Sequence, residues 1–366
     1  MSDKVGKPKG MSAGAMDLST MGLASPPKSD VTWKINLPGC RERCSAMAVG
    51  LAVGKPEQGK HASNTYATET PAANEQAVIS FIAPLGLVVA VDHYGKELWR
   101  RDVGKQKIQN QFGTGSSPLL VGDSLIVQQY NEDFARILCL NANDGSERWK
   151  AERSKGTSWA TPIAWKNGDV TEILGAGNGS VIAYDLKDGS ERWRVGGIDT
   201  SFSGSLTADA DGVYIGTASP GSRAPIMAVR PGQSGDLTLP KGKASSEGVM
   251  WSKSKSGAGM PSPVVIGNRL FFLGDQIVCW DKLSGREIFR KRLPGGTLAA
   301  GCPVVVDGRL IAVNEKGKLM IIPISDQFEV AHELQVGTAD EITWATPAVT
   351  ADSILVRSSE AIYCIR

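Results

Sequence analysis

The six residues DGSERW are spelled twice in this chain, at 144–149 within LCLNANDGSERWK and at 188–193 within IAYDLKDGSERWR. Weaker copies extend the series: VVAVDHYGKELWR ends on Trp99, and IVCWDKLSGREIFR carries Phe289. The aromatic anchors fall at Trp33, Trp99, Trp149, Trp193, Trp251 and Phe289. A second signature interleaves with the first, a small residue followed by proline and an apolar run. It reads ETPAA (Pro71), SSPLLV (Pro118), ATPIAW (Pro162), PSPVVI (Pro263), GCPVVV (Pro303) and ATPAVT (Pro347), with a proline-less version, GSLTA, at Leu206. Successive copies lie roughly 40 to 60 residues apart, the spacing of propeller blades. A chain that repeats one supersecondary unit in this way must bury each unit against the next.

One copy illustrates the unit. SSPLLVGDSLIVQQY starts a strand with a proline, where a missing N–H is harmless, and turns at 121–124 into a second strand. ARILCLNANDGSERWKA supplies a third strand, a turn at Asn143-Asp144-Gly145 and a fourth strand carrying Trp149. The Asn/Asp-Gly step provides the positive φ of a tight hairpin, so its recurrence marks a turn. Asp92, Asp185 and Asp281 recur before these turns and read as residues that hydrogen-bond the turn backbone. Glu147 and Glu191 fall on outer strands, as solvated or cross-strand partners. Trp149 is placed to lodge between neighbouring sheets, where burial contributes on the order of 2 to 3 kcal/mol.

The chain is therefore expected to be all-β, a propeller of four-stranded blades. Seven nearly complete units fall at about 67–104, 114–155, 158–197, 203–256, 259–294, 299–337 and 343–366. The last lacks a fourth strand, which VTWKINLPG at 31–39 is expected to supply, closing the ring at the termini. Residues 39–66 are too short for a whole blade, so they form a connector in a seven-bladed ring or the remnant of a first blade in an eight-bladed one. The domain division is a disordered leader, 1–30, and one propeller domain, 31–366.

Composition excludes several functions. Forty basic against 38 acidic residues, with no long basic block, give no reason to expect nucleic acid. No apolar stretch approaches a membrane span, and the first 30 residues hold no apolar run long enough for a secretory signal. Cys139, Cys279 and Cys364 occupy one position in three repeats and read as small buried hydrophobes that do not meet. Cys40 and Cys44 form a weak metal pattern with no second pair nearby, and His61, His93 and His332 are scattered, so no metal site is assigned.

The series LNANDGSERW, YDLKDGSERW, VDHYGKELW and CWDKLSGREIF, with its A-x-D-x-x-x-G-x-x-x-W spacing and its SSP/ATP/PSP strand starts, resembles the quinoprotein-like β-propeller family, whose repeats are named after pyrroloquinoline quinone (PQQ). The resemblance spans about 31–366 and is nearest the non-enzymatic exported branch typified by BamB. It implies eight blades, an exported or periplasmic protein and no bound cofactor. The enzymes of the superfamily carry a calcium-bound quinone, a catalytic Asp and often adjacent cysteines. This chain has no adjacent cysteines, nor any G-x-S-x-G, H-E-x-x-H or P-loop motif.

Function on a propeller belongs where the copies differ, in the loops entering the innermost strands. GTSWATP and EITWATP place Trp159 and Trp344 there, and the corresponding loops offer Tyr66, Phe112 and Met260. With Asn110, and with Gln109 and Gln111 beside it, these residues suit an aromatic, amide-rich mouth for a peptide strand or flat ligand. Packing between blades is the competing explanation. A second candidate surface is the long insertion TASPGSRAPIMAVRPGQSGDLTLPKGKASSEG. The expectation is a monomeric, non-catalytic scaffold for a protein or peptide partner, without cofactor. The alternative is a quinone-dependent dehydrogenase of alcohols or sugars, which alone would require PQQ and calcium.

Overall fold

The computed structural model describes residues 23–24, 31–37, 47–62, 64–198, 201–216, 224–254, 260–274, 276–295, 301–338 and 340–366. The structure is built of antiparallel sheets in sequence order, as the repeats require. Six sheets are each built on a four-stranded meander, at 72–102 (blade 1), 119–153 (blade 2), 163–195 (blade 3, whose sheet has a fifth strand), 207–253 (blade 4), 264–292 (blade 5) and 304–335 (blade 6). Blade 7, at 348–365, has three strands among the described residues. The first strands of successive blades, from blade 1 to blade 6, lie against one another, which makes them the innermost layer of a propeller.

Blade 2 sets the pattern with strands Leu119–Val121, Ser124–Tyr130, Ala135–Asn141 and Glu147–Arg153. Cys139 pairs with Trp149 and Leu140 with Glu147, leaving Arg148 as an extra residue in a β-bulge. The same irregularity recurs opposite Trp99, Trp193, Trp251 and Phe289. The connection is wider than a two-residue hairpin: the Gly145 N–H donates to the Asn141 carbonyl at 2.8 Å. Asp144 accepts both the N–H and the hydroxyl of Ser146, which hold its carboxyl below the usual range. Asp92, Asp185 and Asp281 accept backbone N–H groups in their turns, the structural role expected of them.

The repeated motif is an interlock between blades. The indole N–H of Trp99 donates to the Ala142 carbonyl of blade 2 at 2.9 Å, that of Trp149 to Leu186 of blade 3 at 2.8 Å, and that of Trp251 to Lys282 of blade 5 at 2.9 Å. Each ring also lies over the next blade's turn glycine. A Cβ on Gly145, Gly189 or Gly285 would stand 2.6, 2.5 or 2.5 Å from Trp99, Trp149 or Trp251 respectively. These glycines also have φ of +73°, +73° and +63°. Around each anchor the apolar core mixes two blades, as where Trp149 packs with Ile173, Ile182 and Tyr184. Trp193 departs from the series, because its N–H turns back to the buried Glu172 of its own blade at 2.8 Å.

Two expectations meet differences. The strand expected to close blade 7, now bounded as Val31–Leu37, instead pairs with Met47–Gly54 across a short connection, where closure costs less chain entropy than pairing with the far end of the chain. That hairpin carries the bulge of an outer strand pair, since Trp33 pairs with Ala52 and Lys34 with Gly50. Its Leu51 and Ala52 pack on Val78, Val89 and Val91 of blade 1, as each anchor packs on the blade that follows it. Second, Cys139 and Cys279 are buried but Cys364 is exposed, because no fourth strand covers it among the described residues.

The described part of the long insertion is mostly exposed and joins the fold at one edge. Gly235–Asp236 adds a parallel fifth strand to the edge of blade 3, where the Gly196 N–H donates to the Thr238 hydroxyl at 2.8 Å. Cys40, Cys44 and the expected leader lie outside the described residues, apart from Leu23–Ala24, which pairs with Lys60–His61.

Candidate functional site

The Ser/Thr-Pro signature positions the mouth. Proline restricts the residue before it to extended backbone and begins the strand without needing a donor. That preceding residue links the blades. The Thr70 N–H donates to the Ser117 hydroxyl at 2.9 Å, Ser117 N–H to Thr161 at 3.0 Å, and Thr161 N–H to Ser205 at 3.0 Å. Ser205 N–H then donates to Ser262 at 2.9 Å, Ser262 N–H to the Cys302 sulfur at 3.2 Å, and Cys302 N–H to Thr346 at 3.0 Å. This belt of side-chain acceptors runs from blade 1 to blade 7 and fixes the loops that precede it.

Trp159, Met260 and Trp344 each stand two residues before their belt residue, so they are true counterparts; the equivalents in blades 1 and 2 are Thr68 and Gly115. Tyr66 and Phe112 enter earlier in their loops. The absence of a side chain at Gly115 lets Trp159 fold back over blade 2: a Cβ there would meet the indole at 3.2 Å. The Trp159 N–H donates to the Gly113 carbonyl at 2.8 Å, and its ring lies 6.2 Å from Phe112. On its other side Phe112 meets His61 edge-on at 5.8 Å. A half-buried row His61–Phe112–Trp159 results.

His61 belongs to a strap, residues 55–66, inside the segment 39–66 expected to be a connector or a remnant blade. The strap is bonded to the 104–114 loop. The Gly59 N–H donates to the Gln111 side chain at 3.1 Å, the Ile108 N–H to the Gln58 side chain at 2.8 Å, and the Asn64 amide to the Thr114 carbonyl at 3.0 Å. Lys105 pairs with Glu57 at 2.6 Å. Gln109 donates its N–H to Thr157 at 3.0 Å, while exposed Asn110 and its neighbour Gln111 hold φ of +50° and +56°. Two successive non-glycine residues in the left-handed region mark local strain of the kind that clusters at functional sites.

Tyr66 donates its hydroxyl to the Gln58 carbonyl at 3.2 Å, and the Lys60 ammonium lies 5.8 Å from its ring centre. Burial pushes its phenol up. Met260 and Trp344 are half-buried, and the ring contacts formed among the described residues do not include Trp344. The structure thus brings Phe112 and Trp159 together with His61, with Asn110 in the same loop and Tyr66 on the strap.

A cleft opens between strap and loop, lined by Pro56, Gln58, Tyr66, Pro84, Ile108 and Thr114. Close to Thr114 is Glu69, whose carboxyl is raised to about 7 because burial outweighs the hydrogen bonds from Thr114 and nearby backbone. The mouth offers aromatic faces, amides and one buried carboxyl. Among the described residues no three His, Cys, Asp or Glu side chains converge as metal ligands.

The family model described as outer membrane protein assembly factor BamB matches residues 85–247 and 241–364. The chain belongs to the BamB family. Its fold agrees with that membership. BamB from Moraxella catarrhalis superposes with a TM-score of 0.59 at 14% identity, covering 93% of this chain and 98% of that one. The computationally designed Ika8 protein superposes at 0.58 with 13% identity over 83% of this chain and 85% of its own. Quinohemoprotein alcohol dehydrogenase from Comamonas testosteroni reaches 0.58 at 11% identity, covering 93% and 73%. At such identities these superpositions establish a shared BamB-type fold and nothing about chemistry. A search of curated protein sequences returned no match.

Proposed function

We propose that this BamB-family propeller is a non-catalytic scaffold that captures a protein or peptide partner at the mouth formed by Tyr66, Asn110, Phe112, Trp159, Met260 and Trp344. The observation that supports it is the His61–Phe112–Trp159 row beside a strained amide loop, in loops where the blades stop repeating. Half-buried aromatic rings with adjacent amides suit an extended peptide, because rings supply contact area at low entropy cost and amides satisfy a peptide backbone. The exported branch of the family suggests an exported compartment and a monomeric propeller, and no helix among the described residues is long and apolar enough to cross a membrane.

Partner capture by the purified chain tests the location. Trp159→Ala and Trp344→Ala are each expected to weaken capture by about 1 kcal/mol or more. Unchanged capture in both variants would place the interface elsewhere. The dehydrogenase alternative predicts saturable, calcium-dependent quinone binding and reduction of an electron-accepting dye with alcohols or sugars. The scaffold reading predicts neither.

A further inference from the structure

The strap strand Lys60–His61 carries a short partner from the start of the chain. Leu23–Ala24 pairs with it antiparallel, Leu23 opposite His61 and Ala24 opposite Lys60, in a two-stranded sheet separate from those of the blades. This pairing stands at the mouth, because His61 is the end member of the His61–Phe112–Trp159 row and its N–H donates to the Phe112 carbonyl at 3.3 Å. The strap strand is also held by its own surroundings. The His61 carbonyl accepts the Asn64 N–H at 2.9 Å, the Asn64 amide donates to the Thr114 carbonyl at 3.0 Å, and the Gly59 N–H goes to the Gln111 side chain at 3.1 Å. Its shape therefore does not depend on Leu23–Ala24.

A fixed strand that takes an extended segment by backbone pairing is one of the recurring modes of peptide recognition, in which main-chain bonds hold the segment and side chains select it. Here the strand is anchored by several bonds, while its occupant is two residues long. A pairing that short, outside any larger sheet, is marginal by itself, and the covalent tether keeps it in place by raising its local concentration. Such an occupant is displaceable. We propose that Leu23–Ala24 is an internal stand-in for the partner, and that the partner binds as an extended strand antiparallel to Lys60–His61, displacing it. The partner residue opposite His61 is apolar, as Leu23 is, because that register position borders the aromatic row. The inference rests on the scaffold reading for the existence of the partner and adds how it is held, by main-chain bonds at the strap and side chains toward Phe112 and Trp159. Occupancy by the chain's own segment lowers the apparent affinity for the partner in proportion to the fraction of molecules whose strap is taken.

Replacing both residues in the full chain, Leu23→Pro with Ala24→Pro, removes both N–H donors of the occupant. The probe is a fluorescent synthetic peptide of residues 16–30, added in trans. The double variant is expected to bind it saturably and about threefold or more tightly than the natural chain, whose strap is already taken. A peptide carrying the same two prolines should not bind. Thermal melts of the two chains should coincide, since a displaceable occupant contributes little to the fold. Equal binding by both chains, no binding by the double variant, or a double variant that melts lower or does not fold would overturn the proposal.

Crosslinking in the native host separates this mode of binding from the scaffold reading itself. With a photo-crosslinking residue at Phe112, the partner adduct is expected to rise about threefold or more in the double-proline chain, in which nothing competes for the strap. An adduct of unchanged yield would leave the scaffold reading standing and overturn the displacement. No adduct in either chain would remove the scaffold reading at this mouth, and binding of the peptide in trans then decides by itself whether the strap takes a strand.

Discussion

Gly189 meets two demands that would otherwise need two residues. Its φ of +73° is left-handed, and its bare Cα makes room for the Trp149 ring of the preceding blade. Gly232 has a similar φ of +76° but no neighbour within 4 Å of a would-be Cβ. Alanine at 232 should therefore cost only the backbone penalty of about 1 to 2 kcal/mol. Alanine at 189 should cost a further 1 to 3 kcal/mol, roughly, from overpacking. Urea midpoints of the two variants measure the difference, and equal midpoints would mean that the interlock is loose. Glu69 gives a second prediction at this scale. A carboxyl raised to about 7 in the folded chain binds its proton more tightly there than when unfolded, near 4.5. Stability from this group is fully present below about pH 4.5 and is lost as pH rises through 7. Melting temperatures across that window should fall more steeply for the natural chain than for Glu69→Gln.

Among elements, the strands and turns were legible in sequence because their determinants are local: a proline, an Asn/Asp-Gly step, an alternating apolar run. The belt was legible only in part. Ser or Thr before proline marked the strand starts, but the bonding partner of each hydroxyl is the next copy, so pairing becomes visible only when blades stand side by side. Thr161→Val, which removes the acceptor of the Ser117 N–H, should cost about 1 kcal/mol, whereas Thr161→Ser should be close to neutral in thermal melts. Within 39–66, expected as a connector or a remnant blade, the strap 55–66 was not resolved in sequence beyond Tyr66, because its placement comes largely from side-chain bonds to a loop some 50 residues away. Aromatic residues of the mouth were found by their departure from the repeat, yet Gly115, which seats Trp159, looked like an ordinary loop glycine.

For the whole molecule, repetition sets the architecture and irregularity sets the function. The ring is strongest where each blade receives an anchor from its neighbour. Blade 7 has three strands among the described residues and leaves Ile362 exposed at its edge. Amides of Ile362–Ile365 should therefore exchange with deuterium well before those of Ala135–Asn141 in the interior of blade 2. Fold alone does not distinguish a scaffold from an enzyme, since assembly factors and dehydrogenases both superpose on this chain. The distinction rests on what touches the mouth. A photo-crosslinking residue placed at Phe112, with one at Leu98 on the exposed outer strand of blade 1 as control, reads that contact in the native host. The account predicts one recurrent protein adduct at 112, absent at 98 and lost when Trp159 is replaced by alanine; equal labelling at both positions, or an adduct indifferent to Trp159, would contradict it.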